Sequence, residues 1–225
     1  MKHFFFLLIP AFLFSVSCSN SIAQKQEHAV VSKPITTDSA MIPTDSNQFY
    51  FPLKAFHSDS KFSYEGEGTF KVKWYSHQLF AMKEPVLFSD PAKKEIYRFT
   101  WLRTFNDPVA IRIEKQDDQY ALFWKSCDGA GGYEPGKIFI DQHKNIGDAE
   151  WNKFKGLLGK IDFWNMQTLD SVLGLDGAEW LLEGKSGDQY HVIDRWSPDE
   201  HTDYYKCCDY LISLTDLKIP EKEKY

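Results

Sequence analysis

Between positions 96 and 125 the chain carries three short runs of β-branched and aromatic residues: Ile96 to Phe105, Val109 to Glu114 and Tyr120 to Lys125. Asn106-Asp107-Pro108 and Gln116-Asp117-Asp118 cut them apart. Residues of the first kind suit a pleated, half-buried surface, and those of the second kind suit turns. Links this short predict an antiparallel meander rather than parallel strands joined by helices.

The flanks extend this pattern. Phe70, Trp74, Leu79 and Met82 recur with a rough helical period, and Glu84-Pro85 ends the stripe because a residue before proline avoids the helical region. A glycine-rich stretch, Cys127 to Tyr133, leads into a fourth strand around Lys137 to Asp141. It lacks the Gly-Lys-Ser/Thr ending of a phosphate loop and is expected to be a flexible connection with glycines at positive φ. Asp148 can cap a helix running to Lys160, since Trp151, Phe154, Leu157 or Leu158 and Ile161 recur at helical steps. Ala178 to Glu183 and Tyr190 to Trp196 form the clearest hairpin, and Thr202 can cap a last helix facing inward through Tyr204 or Tyr205, Cys208, Leu211 or Ile212, and Leu214. The expected fold class is α+β, a mainly antiparallel sheet with about three helices packed on it.

Aromatic residues make up 16% of the chain, dense at Trp101, Phe105, Phe123-Trp124, Phe163-Trp164, Trp180 and Trp196. Rings of this kind fill cores, and any left outside make platforms for a carbohydrate or a partner protein. The formal net charge is −6, with acidic and basic residues interspersed, which excludes nucleic acid as an expected partner.

The N-terminus sets location. Lys2 precedes an apolar run from Phe4 to Phe14 and then small residues, the layout of a secretory signal peptide at 1–23. Ser15-Val16-Ser17-Cys18 resembles the lipobox of bacterial exported lipoproteins, although that motif usually carries leucine where Ser15 stands. The resemblance implies lipidation of Cys18, which would become the mature N-terminus and hold the protein on a membrane through its lipid anchor. Ser21-Ile22-Ala23 offers a competing cleavage site, giving a soluble periplasmic or secreted protein starting at Gln24. Residues 24–48 are rich in Ser, Thr, Lys, Gln and Pro and read as a flexible tether. Residues 49–220 suit one globular domain, followed by a polar tail at 221–225.

The 178–196 hairpin also gathers the chemistry. A three-residue loop, Ser186-Gly187-Asp188, would set Glu183 opposite His191 and Glu179 opposite Arg195. Glu183, His191 and Asp194 are then the candidate acid/base residues of a hydrolase, with Glu179 and Arg195 as candidate binding residues. The competing expectation is ordinary cross-strand pairs on a solvated face. Cys127, Cys207 and Cys208 are the candidates for a disulfide, bridging from Cys127 to either of the others, or else stay buried and reduced. Asp199-Glu200-His201, with Asp203 and the two cysteines, lacks the ligand spacing of a zinc or calcium site, so no metal is expected, and no cofactor motif appears. The leading expectation is an exported, lipid-anchored envelope protein that binds a partner without chemistry. A periplasmic inhibitor or immunity protein and a hydrolase are the alternatives.

Overall fold

The computed structural model describes Met1 and residues 41–57, 67–172 and 174–225. The expected signal peptide, Cys18, Gln24 and most of the expected tether lie outside the described residues. The described residues from 41 onward belong to a single compact unit.

Six strands form one sheet in the order β4-β3-β2-β1-β5-β6: β1 is Glu95–Arg103, β2 Val109–Gln116, β3 Gln119–Cys127, β4 Ile138–Asn145, β5 Ala178–Ser186 and β6 Gln189–Trp196. Every pairing is antiparallel. Helix α1, Glu67–Ala81, covers one face, and α2, Asp148–Lys160, with α3, Asp203–Ser213, covers the other. The fold is α+β and mainly sheet, and the helices fall close to where periodicity places them.

Strand alternation sorts the two faces. Tyr97, Phe99 and Trp101 of β1, Ile111 and Ile113 of β2, and Trp180 and Leu182 of β5 meet Trp151, Phe154 and Leu158 of α2 and Tyr204, Cys207, Cys208 and Leu211 of α3. Leu102, Ala110, Leu181 and Val192 point the other way, toward Val72, Tyr75 and Leu79 of α1 and toward Tyr50, Phe51 and Phe56. On that side Phe51, Phe56 and Tyr75 pack edge to face, with centroids 5.1 to 6.2 Å apart.

Local details depart from expectation. The inner stripe of α1 is Val72, Tyr75, Leu79 and Met82, while Phe70 is 55% exposed. Gly147, not Asp148, caps α2, accepting help from Glu150, whose Oε2 receives the Gly147 N–H at 3.0 Å. Thr202 does cap α3, its side chain accepting from the Tyr205 N–H. Both α1 and α2 end in Schellman turns on a left-handed residue. In α1 that residue is Lys83 (φ 50°), with the Glu84 N–H bonded to the Leu79 carbonyl at 3.1 Å; in α2 it is Asp162 (φ 50°), with the Phe163 N–H bonded to the Leu158 carbonyl at 3.1 Å. The first turn throws Glu84 under the sheet and the second throws Phe163 into the aromatic core, where they are 1% exposed.

The ends of the chain segment are also held. The Val86 N–H donates to the Met41 carbonyl at 3.0 Å, and Pro43 and Gln48 are buried, so residues 41–48 lie against the body. At the other end, the indole N–H groups of Trp101 and Trp180 both donate to the Tyr225 carbonyl, at 3.1 and 2.9 Å. The Tyr225 hydroxyl reaches Asn106 Oδ1 at 2.6 Å. The 221–225 tail is polar in composition yet anchors two core tryptophans.

Candidate functional site

The hairpin register corrects the expectation. Ser186 pairs with Gln189, leaving a two-residue loop, Gly187-Asp188, with Gly187 at φ 57°. Glycine at the first of two loop positions is what a type II′ turn requires, and that turn matches the twist of the strands. Glu183 therefore faces Val192, Gly184 faces His191, Glu179 faces Trp196 and Leu181 faces Asp194. A one-residue slip moves a side chain to the other side of the sheet. Glu179, Glu183 and Asp194 share the α1 face, while His191 and Arg195 stand on the opposite one.

His191 and Arg195 are occupied there. His191 Nε2 donates to the Met166 carbonyl at 2.8 Å, and burial lowers the imidazole pKa, keeping the ring neutral. Arg195 donates to the carbonyls of Gln167 and Thr168, at 2.7 and 2.9 Å. With the Asp194 N–H donating to the Thr168 carbonyl at 2.8 Å, these bonds strap residues 166–168 along the outer edge of β6.

The α1 face is not solvated. Glu179 is 5% exposed and Asp194 2%, because α1 lies over them. Lys71 Nζ donates to Asp194 Oδ2 at 2.8 Å and to Glu179 Oε1 at 3.3 Å, and the Tyr75 hydroxyl donates to the same Asp194 oxygen at 3.0 Å. Burial, then the neighbouring Asp194 charge, push the Glu179 carboxyl well above its usual range. Glu179 Oε2 and Asp194 Oδ1 are buried without a hydrogen-bond partner, while Lys71 Nζ bridges the other oxygen of each carboxylate. Lys71 and Tyr75, one helical turn apart, come from a segment more than a hundred positions away from the hairpin, so no local motif announces them.

A second network crosses the sheet beside it. Arg98, fully buried, pairs with Glu183, which also accepts from the Tyr190 hydroxyl at 2.9 Å. Glu84 receives Arg112 at 2.9 Å and Lys125 at 3.3 Å, with Arg98 at 3.7 Å. Those cations hold the Glu84 carboxyl below its usual range despite complete burial. For Glu183 burial prevails over the attraction of Arg98, and its pKa is raised. This ladder knits α1's end to five strands; of the candidate acid/base residues Glu183 belongs to it, Asp194 sits in the Lys71 network and His191 lies on the other face. Glu183, His191 and Asp194 do not converge on one point.

The thiols are separated in the same way. Cys127 is free and buried on the α1 face, while Cys207 and Cys208 are free and buried beneath α3 on the other. The sheet stands between them, which rules out a bridge from Cys127. Burial raises the Cys207 thiol to about 12. Among the described residues no group of three or more His, Cys, Asp or Glu is placed to hold a metal ion.

Several aromatic rings remain outside. Phe105 and Tyr133 are 60% and 62% exposed, with ring centroids 6.2 Å apart. Tyr133 belongs to the glycine-rich loop, which is packed rather than slack. The Trp74 indole and Gln78 amide of α1 donate to the Gly131 carbonyl at 3.0 and 3.2 Å, and Gln78 also donates to the Tyr133 carbonyl at 2.7 Å. A Cβ on Gly131 would stand 2.6 Å from the Leu102 backbone, so glycine serves close approach here. Among the described glycines before β4, only Gly136, beyond the cluster, has positive φ. Phe70, stacked toward Trp74 at 5.8 Å, continues the aromatic surface along α1, and His77 meets Glu134 at 3.1 Å beside it. At the far edge a cleft of about 650 Å³ is lined by Phe139, Ile140 and Gln142 of β4, by Leu217 and Ile219 of the C-terminal segment, and by Arg103.

No protein-family model matches the chain, and no curated protein matches it either. No helix among the described residues is long and apolar enough to cross a membrane.

Proposed function

We propose that this is an exported, lipid-anchored envelope protein, and that its folded body is a non-catalytic binding module working through the Phe105–Tyr133 surface. The observation carrying this reading is an exposed aromatic pair, Tyr133 on the glycine-rich loop that α1 clamps from below and Phe105 on the β1–β2 turn to which that loop is hydrogen-bonded. Exposed rings cost solvation, and a rigid platform spares a ligand the cost of ordering it. The clustered ionisable residues support the non-catalytic part of the reading. They are under α1 or bound to backbone carbonyls, so their proton chemistry serves the fold. The signal-peptide pattern and Cys18 supply the location.

The ligand class is a carbohydrate of the envelope, whose flat C–H faces stack on aromatic rings, with Glu134 and His77 at hand for hydroxyls. Isothermal titration of the purified protein with envelope polysaccharide tests it. The expected result is saturable binding that falls at least about tenfold in the Phe105→Ala/Tyr133→Ala double variant, roughly 1.4 kcal/mol for the pair. Equal binding by the double variant would remove this surface from consideration. Binding to an envelope protein in place of the polysaccharide would keep the surface and change the ligand.

A further inference from the structure

The two edges of the sheet are treated differently. The outer edge of β6 is strapped by residues 166–168 through bonds from His191, Asp194 and Arg195. Among the described residues β4 pairs only with β3, and six of its eight residues, Phe139 and Asp141–Asn145, are exposed. A regular strand with an unpaired row of N–H and C=O groups is a template for another strand. The irregular step in its pairing lies at its beginning, between the partners of Ser126 and Cys127, and residues 140–145 run in unbroken register with β3.

We infer that the occupant of this edge is a second copy of the chain, joined through antiparallel β4–β4 pairing centred on Gln142. Two copies that meet edge to edge and antiparallel are related by a two-fold axis normal to the sheet. That axis keeps the same helical layer on the same side, so only residues of the same face stand opposite each other. With the axis at Gln142, Asp141 of each copy faces His143 of the other, and Ile140 faces Lys144. The imidazole N–H can donate to the carboxylate, and the pair occurs twice. With the axis at Asp141, the two Asp141 carboxylates face each other and repel. With the axis at His143, the charge pairing is lost and Asp141 faces Asn145. His143 is already oriented by stacking on Phe123 at 5.8 Å. Charged residues on an edge strand discourage indiscriminate pairing, and here they choose the register. The result is one continuous sheet across the dimer. Gln142 and Ile140 line the cleft, so the second copy's Lys144 arrives at its mouth.

The test uses the full chain in its native membrane. Opposite residues on paired strands have Cα atoms about 4.5 to 5.5 Å apart, within disulfide range. Gln142→Cys should therefore yield a covalent dimer on mild oxidation, and Asp188→Cys, exposed at the hairpin turn near the other edge, should not. Equal cross-linking of both variants, or none of Gln142→Cys, overturns the proposal. The second measurement is sedimentation of detergent-purified chains. Gln142→Lys and Gln142→Glu should each weaken the dimer about fivefold or more, since like charges meet on the axis, and mixing them should restore it as a heterodimer. A wild-type monomer, or charge variants that associate as well as wild type, would also overturn it.

Discussion

The two faces of the sheet bury comparable numbers of large side chains by opposite means. Against α2 and α3 the contact is almost wholly apolar and aromatic, with Phe99, Trp101 and Trp180 ring to ring at 5.1 to 6.3 Å. Against α1 the apolar contacts are interrupted by Arg98, Arg112, Lys125, Glu84, Glu179, Glu183 and Asp194, each 8% exposed or less. Apolar burial is non-directional and stabilises wherever area leaves water. A buried ion pair gains little over apolar packing, but it penalises every arrangement in which a charge loses its partner. The first face therefore supplies stability, and the second specifies how α1 and its Glu84 turn must dock.

Breaking that comparison calls for one substitution on each face. Glu84→Ala strips a shared carboxylate from Arg98, Arg112 and Lys125 and should cost about 3 to 5 kcal/mol in urea unfolding, through stranded buried cations. Phe99→Ala should cost a similar 3 to 5 kcal/mol or so, through a cavity. The two should differ in kind: Glu84→Ala should loosen α1 selectively in hydrogen exchange, whereas Phe99→Ala should lower protection throughout the sheet. Uniform loss of protection in both variants would erase the distinction between the faces.

A gentler probe sharpens it. The Glu179 pKa is raised in the folded chain, so folding takes up a proton as pH climbs past the unfolded carboxylate value near 4.5. Its stabilising contribution is complete below that value and is lost as pH rises through the folded value. Glu179→Gln mimics the protonated form, so it should leave acid stability nearly unchanged, gain on the order of 1 kcal/mol on the alkaline side, and flatten the dependence of unfolding free energy on pH. A loss of stability at every pH would mean that Glu179 stays ionised against Lys71. The smallest effect is expected from Thr202→Ala, on the aromatic face. Losing the cap to the Tyr205 N–H should cost about 1 kcal/mol and fray α3 without disturbing α1.

The candidate site shows where a sequence stops being legible. Glu179, Glu183, His191, Asp194 and Arg195 stand out by their spacing alone, and the strands carrying them lie where alternation predicts. Their grouping depended on the length of one turn. The hairpin closes at Gly187-Asp188, and that single step sends His191 and Arg195 across the sheet from the carboxylates. Cross-strand charge pairing favoured the other register because it assumed a solvated face. The assumption failed because α1 covers the carboxylates and supplies Lys71, a partner that local spacing does not reveal. The glycine-rich loop failed in the same direction: composition reads as slack, while contact with Leu102 and Trp74 makes it tight.

The amino-acid sequence by itself determined the element order, the antiparallel class of the sheet, the inward faces of α2 and α3 and the Thr202 cap. Each depends on periodicity or on groups within a few residues, where backbone geometry leaves few choices. Only the tertiary structure decided which face of the hairpin is dry, which way burial moves the Glu179 carboxyl, why the thiols stay apart and which edge of the described sheet is left open. Those outcomes turn on charges and surfaces brought together from distant parts of the chain, and their energies exist only once water has been excluded between them.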